Sequence, residues 1–345
     1  MSIRKKLGTT AVVTAAVLTL GACGGIDTGT GSNTPASGDA VASGASATLP
    51  ESCSSDNPTI AVLLPNQTNP YYVAMKEGFE TAGTENGFTA EVQIADDDDA
   101  QQLAQAEAAL QKKPCALALN PVKSEPAAAI VRAANDAGIP VFTVNVIVNE
   151  DALKAQNATI IQYLGADNKQ GGIDTAKVVL EDMGTDTALN IGLVTEPDEV
   201  PVVIRDEGFQ EAIAENPNAK VVASVDGNVK VTDSLDVTAA MLQGNPDMNV
   251  IFASTGPAAQ GAIEAVKASG RDVKVYGFCA PEITTTDTYP ACVAQEPADY
   301  GKRVVEQIAA YVKGETVESE ILRPLKMFRN GDTPAAGEVG FTTWQ

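Results

Sequence analysis

Short apolar runs alternate along this chain with longer segments in which apolar residues recur at helical spacing. The first run, TIAVLL at residues 59–64, is followed by a segment that begins with Asn69 as a helix N-cap and Pro70 as the first helical residue. One apolar stripe follows, formed by Tyr72, Met75, Phe79 and Ala82. Strands and helices that alternate on this scale predict right-handed βαβ units and parallel sheets.

The alternation continues to about residue 295 and predicts an α/β fold. Ten strands are many for one compact sheet in a chain of 345 residues, which favours two similar α/β lobes. The predicted strands are 59–64, 88–94, 115–119, 140–144, 159–164, 189–194, 220–225, 249–253, 273–278 and 291–295.

The N-terminus has the pattern of an export signal. Basic residues at positions 4–6 precede an apolar segment at about 9–20, which is shorter than the roughly 20 apolar residues that span a bilayer. Small residues directly before Cys23 predict a signal peptide over 1–22, cleaved to leave Cys23 as a lipid-modified N-terminus. The alternatives are a plain secretory signal with a chance cysteine, and a single buried thiol.

A tether follows the predicted lipidation site. Residues 24–50 consist almost entirely of Gly, Ser, Thr, Ala, Asp and Asn, which cannot bury enough apolar surface to fold. We therefore predict a flexible tether over 23–56, with folding from about Asn57. Acyl chains on Cys23, such as palmitate, would hold an exported protein at the outer face of the cell membrane, or in a periplasm.

The acidic composition limits the partners. A net charge of −22 repels nucleic acid and anionic lipid head groups, so we predict no nucleic-acid partner and membrane contact through the lipid anchor only. The four aspartates at 96–99 lack the alternating spacing of an EF-hand loop. They are predicted to form a solvated turn rather than a cation site.

The chain contains no His. This excludes Ser-His and Cys-His nucleophiles and removes the commonest neutral metal ligand. Paired carboxylates and metal sites built from oxygen ligands remain open, but neither has a motif in this sequence. We therefore predict no catalytic residue, no metal and no cofactor.

Four cysteines besides Cys23 predict disulfides in an exported protein. They allow three pairings, and the sequence alone does not choose among them. Their positions favour Cys53 with Cys115, at the same edge of a predicted parallel sheet, and Cys279 with Cys292, which flank one short connection. The alternative for Cys279 or Cys292 is a small buried apolar residue.

Polar side chains follow many of the predicted strands. Parallel α/β sheets bind ligands in the crevice at the carboxyl ends of their strands, so these residues are binding-site candidates. Amides and hydroxyls recur there, and they suit ligand hydroxyl groups. A single Asn at a strand end also suits a turn or a helix cap. The candidates directly after the strands are residues 65–69 (PNQTN), Asn120-Pro121, Asn145-Val146, residues 165–168 (GADN), Thr195-Glu196, Ser254-Thr255, Cys279-Ala280 and Gln295-Glu296.

Two further features favour a sugar ligand. Tyr71 and Tyr72 offer flat apolar faces beside the crevice, which suit the C–H face of a sugar ring, although core packing is the alternative for one of them. Arg205 lies in a helical pattern, and its five donors could reach over the crevice. A salt bridge from Arg205 to Asp206 or Glu207 is the alternative.

Residues 59–79, TIAVLLPNQTNPYYVAMKEGF, resemble the opening of the ribose-binding-like periplasmic sugar-binding proteins, the capture subunits of type I ABC importers. The resemblance extends in order over residues 58–330, and the ordered series is more specific than any single motif. The further matching segments are 119–121 (LNP), 139–141 (IPV), 167–168 with 171–172, 205–209 (RDEGF), 277–278 (GF) and 293–295 (VAQ).

This resemblance implies two Rossmann-like lobes with parallel sheets, joined by a three-stranded hinge and closing on a ligand like a trap. The N-terminal lobe is expected over 57–166 and 296–323, and the C-terminal lobe over 167–295 and 324–345. The crossovers are expected near Ala166-Asp167, Gln295-Glu296 and Arg323-Leu325. The ligand contacts of the family map onto Asn69, Tyr71, Tyr72, Asn120, Asn145, Arg205, Thr255, Cys279 and Gln295.

Several positions depart from the family pattern and leave the site without two carboxylates and one guanidinium. Because hydrogen bonds to charged groups are about twice as strong as neutral ones, a polyol, a modified sugar or another small neutral polar molecule fits as well as a simple sugar. If Cys279 is bonded to Cys292, it is a rigid lip of the site and not a ligand contact. The departures are Asn145-Val146 for Asp-Arg, Cys279 for Asp, Thr255 for Asn and Val229 for an aromatic residue.

The sequence thus predicts a solute-binding lipoprotein of an ABC importer, a monomer that captures a sugar-like ligand and delivers it to permease subunits. One alternative is a protein of the same fold that presents its ligand to a membrane sensor kinase. Another is an enzyme, such as a dehydrogenase on a doubly wound sheet. A dehydrogenase would carry a G-x-G-x-x-G turn after its first strand, where this chain has PNQTN at 65–69.

Overall fold

The computed structural model describes residues 49–280, 285–330 and 332. The predicted signal peptide, the predicted lipidation site at Cys23 and most of the predicted tether lie outside this part of the chain. The same holds for residues 333–345, which the sequence assigns to the C-terminal lobe. Within the described ranges, no helix is both long enough and apolar enough to cross a membrane.

Strands and α-helices alternate through the described residues. The strands are β1 (Thr59–Leu64), β2 (Thr89–Ile94), β3 (Ala116–Leu119), β4 (Val141–Val144), β5 (Gln162–Ala166), β6 (Leu189–Thr195), β7 (Ala219–Asp226), β8 (Val250–Ala253), β9 (Lys274–Phe278), β10 (Ala291–Ala294), β11 (Glu320–Arg323) and β12 (Lys326–Arg329). The helices are α1 (Pro70–Glu85), α2 (Asp99–Gln111), α3 (Ala127–Asp136), α4 (Glu150–Gln156), α5 (Asn168–Met183), α6 (Val200–Ile213), α7 (Val231–Gly244), α8 (Gly256–Ser269) and α9 (Pro297–Val312).

All ten predicted strands are present, and nine of them begin and end within one residue of their predicted bounds. The exception is β5, which begins at Gln162 rather than at residue 159. Two further strands, β11 and β12, were not predicted. Each has four residues and lies at an outer edge of a sheet, where its side chains are mostly part-exposed or exposed, so neither forms a continuous apolar run.

The strands form two six-stranded sheets with the same strand order. The first sheet runs β2-β1-β3-β4-β5-β11, and all of its pairs are parallel. The second runs β7-β6-β8-β9-β10-β12, and its β10–β12 pair is antiparallel. The first lobe comprises the first sheet with α1–α4 and α9, and the second lobe comprises the second sheet with α5–α8. The predicted two-lobed α/β fold is confirmed.

Glycines allow helices on both lobes to pack backbone to backbone. In the first lobe α1 contacts α9, and a Cβ on Gly78 would lie 2.1 Å from the carbonyl oxygen of Ala298. In the second lobe α5 contacts α6, and a Cβ on Gly172 would lie 2.1 Å from the carbonyl oxygen of Arg205. The second contact therefore fixes the helix that carries Arg205. The predicted apolar stripe of α1 is buried, with each of its four residues no more than 4% exposed.

The chain passes between the lobes at three places: from β5 to α5, from β10 to α9 and from β11 to β12. The first and third lie side by side, because the backbone N–H of Asp167 donates to the carbonyl of Arg323 over 3.1 Å. The Nε of Arg323 also lies 3.2 Å from the Oδ2 of Asp299, in the first turn of α9. Three adjacent crossings form a narrow hinge about which two lobes can rotate.

Two disulfides join the cysteine pairs that the predicted sheets favoured. Cys53 is bonded to Cys115, with 4.6 Å between their Cα atoms, and Cys279 is bonded to Cys292, with 4.9 Å. The first disulfide attaches a 3₁₀ helix, Glu51–Ser54, to the start of β3. These four residues belong to the predicted tether, but the bond fixes them to the first lobe.

The acidic run at 96–99 is a largely exposed turn that leads into α2. Asp98 is the N-cap of this helix, since its Oδ1 accepts from the backbone N–H of Gln101 over 2.9 Å. Asp97 accepts from the Nδ2 of Asn66 over 2.7 Å. These aspartates therefore cap a helix and hold a neighbouring loop. Across the described ranges, no group of His, Cys, Asp and Glu is arranged to hold a metal ion.

Candidate functional site

A cavity lies between the two lobes, at the carboxyl ends of their parallel strands. The volume within the cavity that the centres of water molecules can occupy is about 40 Å³. Seven of the nine residues that were predicted to contact a ligand line it, together with five others. The lining residues are Asn69, Tyr71, Tyr72, Asn145, Glu199, Arg205, Val229, Thr255, Gly256, Pro257, Phe278 and Gln295.

The start of α1 forms the aromatic wall of the first lobe. Asn69 is the N-cap, as predicted, and its Oδ1 accepts from the backbone N–H of Tyr71 over 3.0 Å. The rings of Tyr71 and Tyr72 are edge to face, with centroids 5.3 Å apart, and are 6% and 4% exposed. Burial raises the pKa of both phenols well above its usual value, so both remain neutral donors and acceptors.

Asn145 is held from two sides at the end of β4. Its backbone has a φ of 62°, in the left-handed region that Asn tolerates better than most residues. The hydroxyl of Tyr163 donates to its carbonyl oxygen, and the hydroxyl of Tyr71 donates to its Oδ1, both over 2.9 Å. These bonds orient the side chain, and its Nδ2 hydrogens are available to an acceptor in the cavity.

Arg205 is the buried cation of the site. Its Nε donates to the Oδ1 of Asn168 over 2.8 Å, and its Nη1 donates to the carbonyl of Ser254 over 2.9 Å. The guanidinium carbon lies 3.9 Å from the centroid of the Phe278 ring, a cation–π contact. These contacts, rather than a salt bridge within α6, hold the side chain. The neighbouring carboxylate, Asp206, instead accepts from the hydroxyls of Thr195 and Ser254.

The second lobe adds the start of α8. Thr255 lines the cavity and also caps this helix, since its Oγ1 accepts from the backbone N–H of Ala258 over 3.2 Å. Gln295, only 5% exposed, stands at the crossing from β10 to α9. Val229 lies where the family resemblance implies an aromatic residue, and it gives the wall a small aliphatic side chain.

Two predicted ligand contacts are not among the residues that line the cavity. Asn120 is fully buried, and its Nδ2 lies 3.4 Å from the sulfur of Met75. Its Oδ1 has no hydrogen-bond partner. Cys279 is also fully buried, and its sulfur is bonded to Cys292, which removes the thiol. The disulfide makes Cys279 part of the frame behind Phe278 rather than a lining residue.

Sequence reasoning missed Glu199. It lines the cavity as the residue directly before α6, four positions after β6 ends, whereas the candidates were sought directly after each strand. Burial raises the pKa of its carboxyl to about 8. Burial also raises the pKa of Glu196, in the same loop, to about 7, and the charge of Asp226 adds to this shift. An acidic residue just before a helix that opens beside the crevice is the signal that could have found it.

The lobes touch beside the cavity. The Oγ of Ser124, in the first lobe, accepts from the backbone N–H of Val200 over 2.8 Å. The backbone N–H of Ser124 donates to the carbonyl of Asp198 over 3.1 Å, and the Nζ of Lys123 lies 2.7 Å from the Oδ2 of Asp198. These contacts join the loop after β3 to the loop after β6 and hold the lobes in a closed arrangement.

A model of the periplasmic binding protein domain matches residues 60–316, a range that contains both walls of the cavity. The chain belongs to this family. Among curated periplasmic binding proteins, it is 30% identical over 280 residues to the ribose import binding protein RbsB of Haemophilus influenzae, covering 80% of this chain and 93% of that protein. It is 28% identical over 272 residues to the D-apiose import binding protein of Actinobacillus succinogenes, covering 77% and 86%.

Solved structures of periplasmic binding proteins have the same fold. An ABC transporter solute binding protein from Actinobacillus succinogenes with bound D-allose superposes with a TM-score of 0.72 at 26% identity, covering 79% of this chain and 97% of that one. A solute binding protein from Bacillus halodurans with bound myo-inositol has a TM-score of 0.71 at 23% identity, covering 80% and 96%. These relatives are named as binding proteins, not as enzymes.

Proposed function

We propose that this periplasmic binding protein captures a sugar or a sugar-like polyol between its lobes and delivers it to the permease of an ABC importer. The observation that carries the proposal is the cavity itself, which combines aromatic faces with amide and guanidinium donors from both lobes. Aromatic faces suit the C–H surface of a sugar, and fixed polar groups set its orientation. The names of the relatives favour import over presentation of a ligand to a sensor kinase.

Each lining residue has a role in this proposal. Tyr71 and Tyr72 pack against the ring of the sugar, and Arg205 donates hydrogen bonds to its oxygens. The amides of Asn69, Asn145 and Gln295 and the hydroxyl of Thr255 bond to further hydroxyl groups. Closure about the hinge then removes the sugar from water, and the closed form is what the permease recognises.

The proposed anchor lies outside the described residues. The sequence before the lobes supports export through a signal peptide over 1–22, lipidation at Cys23 and a tether that brings the lobes within reach of the permease. We propose a monomer held at the outer face of the cell membrane or in a periplasm. In a Cys23→Ala variant, sugar affinity should be unchanged, whereas the protein should no longer fractionate with membranes. Loss of sugar binding in this variant would contradict the proposal that Cys23 and the tether serve only to anchor the lobes.

A thermal-shift screen of the purified protein tests the proposal. The panel consists of D-ribose, D-apiose, D-allose and myo-inositol, and sucrose at the same concentration is the control for non-specific stabilisation. A ligand at 100 times its dissociation constant adds about 2.7 kcal/mol to the free energy of unfolding, which raises the Tm by a few degrees. If no member of the panel raises the Tm more than sucrose does, the proposed ligand class is wrong.

A further inference from the structure

Among the described residues that line the cavity, Glu199 is the one that carries a carboxylate. It is partly buried and stands on the wall of the second lobe, near Tyr72 and Arg205. Its side chain makes no hydrogen bond and no ion pair with any described residue. A carboxylate that is partly removed from water without a partner is costly, so an acceptor is available here for a ligand.

The local structure explains why this side chain is free. Glu199 is the N-cap of α6, where a side chain commonly accepts a hydrogen bond from the first turn, but it makes no such bond. The second helical residue, Pro201, has no N–H, and the backbone N–H of Val202 donates to the backbone carbonyl of Glu199 over 3.0 Å. The backbone N–H of Val200 donates to the Oγ of Ser124, which reaches across from the first lobe. Closure of the lobes therefore supplies a cap to the helix and leaves the carboxylate in the cavity.

The charged groups around Glu199 come from several elements. Arg205, on the same helix, favours the ionised carboxylate. The acidic side chains of Glu196 and Asp198, from the loop after β6, and of Asp97, from the loop after β2, oppose it. Lys123, from the loop after β3, is paired with Asp198. Burial is the largest effect, and it raises the pKa of Glu199 to about 8.

We infer that Glu199 is a ligand-contacting residue that, in its ionised form, accepts hydrogen bonds from two neighbouring hydroxyl groups of a neutral sugar or polyol. This inference rests on the function proposed above. Arg205 and the Nδ2 of Asn145 donate hydrogen bonds, so they suit ligand oxygens, whereas the hydrogens of ligand hydroxyls require an acceptor. Glu199 is the anionic acceptor on this wall, and it selects ligands with adjacent hydroxyls over deoxy compounds.

Proton release should accompany binding. Hydroxyls that donate to the carboxylate stabilise its ionised form, so the pKa of Glu199 falls when the ligand enters. With the lobes closed and the cavity empty, Glu199 holds a proton below about pH 8, and this proton must leave before those bonds form. Affinity should therefore rise with pH, by up to about tenfold per unit, from the pKa of the complex to about 8, and then level off.

Calorimetric titration of the full chain from pH 6 to pH 9 tests the inference, with D-ribose, D-allose and myo-inositol as probes. For the probe that binds most tightly, affinity should rise at least about tenfold between pH 6 and pH 8. Titrations at pH 7 in two buffers of different ionisation enthalpy should report close to one proton released per sugar bound. Affinity that is flat or falls with pH would overturn the inference.

Three variants separate a ligand contact from a structural role. In Glu199→Gln, affinity should be independent of pH and about 10- to 100-fold weaker than that of the native protein at pH 8. In Glu199→Asp, which keeps a carboxylate on a shorter side chain, affinity should still rise with pH. The control is Glu215→Gln, an exposed glutamate just after α6, which should bind like the native protein.

The outcomes distinguish the two proposals. If the native protein binds a probe and Glu199→Gln binds it equally well at every pH, the inference is wrong and the sugar-binding function stands. If Glu199→Gln does not fold, as judged by circular dichroism, Glu199→Asp and the proton count in the native protein decide the inference. If the native protein binds no probe at any pH, the proposed function fails, and the inference fails with it.

Discussion

Arg205 links the parts of the second lobe that form the cavity. Its guanidinium is bonded to Asn168 at the start of α5 and to the carbonyl of Ser254 at the end of β8, and it lies on the ring of Phe278 at the end of β9. The side chain is 5% exposed. A planar group with donors on several sides makes these contacts together, which a single ammonium does not. The fixed guanidinium is thereby oriented toward the cavity before a ligand arrives.

Replacement of Arg205 by Lys should weaken sugar binding by about 10- to 100-fold, because an ammonium cannot bond Asn168 and Ser254 together and still donate to the sugar. Each charge-assisted hydrogen bond that is lost is worth about 1.5–3 kcal/mol. The Oδ1 of Asn168 would also lose its partner. Calorimetric titration with the tightest-binding sugar measures the effect. The matched control is Arg132→Lys, a half-exposed arginine on α3 that pairs with Asp136, and this variant should bind sugar normally. Unchanged affinity in Arg205→Lys would contradict the role of the guanidinium.

At the scale of residues, local sequence patterns were sufficient to predict part of the site. Asn69 was predictable as a cap because Asn before Pro at the start of an apolar stripe suits both the cap and the first turn. Glu199 was not predictable in this way, because its position depends on how the loop after β6 turns into α6. The burial of Asn120 against Met75 is likewise a contact between distant parts of the chain.

At the scale of elements, close helix contacts position the site. The α5–α6 pair resembles the α1–α9 pair, since in each a glycine faces a backbone carbonyl of the neighbouring helix. Gly208 on α6 faces the backbone of Lys169 in the same way, so the contact is made from both helices. Arg205 lies on α6, and Glu199 is the N-cap of this helix. Any displacement of α6 therefore moves both side chains.

Gly172→Ala should therefore lower both stability and affinity. The added Cβ would lie 2.1 Å from the carbonyl oxygen of Arg205, so α6 must move, at a cost of about 1–3 kcal/mol in the free energy of unfolding. Denaturant unfolding and calorimetric titration measure the two effects. Gly244→Ala is the control, since a Cβ on this residue meets no atom within 4 Å. If Gly172→Ala matched the control, the helix contact would not be as tight as described.

Apolar runs were sufficient to predict the eight inner strands, because burial on both faces makes such runs continuous. β11 and β12 are different. They are four-residue strands at sheet edges, and their side chains are mostly part-exposed or exposed. The three possible cysteine pairings could be ranked because the strand order places the ends of neighbouring strands side by side. The bonds themselves are seen only in the folded sheets.

At the scale of the molecule, two lobes with one strand order meet across a cavity and share a three-stranded hinge. The repeated alternation in the sequence predicted two similar lobes. The contacts that close them were not predictable, because Ser124 and Lys123 meet Val200 and Asp198 through loops that approach only when the lobes rotate together. In this account, a bound sugar adds its own contacts to these few and shifts the lobes toward the closed form.

A crystal structure of the protein with the tightest-binding member of the panel tests the central claim most directly. The account predicts the sugar between the lobes, with its ring against Tyr71 or Tyr72, its oxygens bonded to Arg205 and its hydroxyls bonded to Glu199. A sugar bound to one lobe alone, or bound outside this cavity, would contradict it.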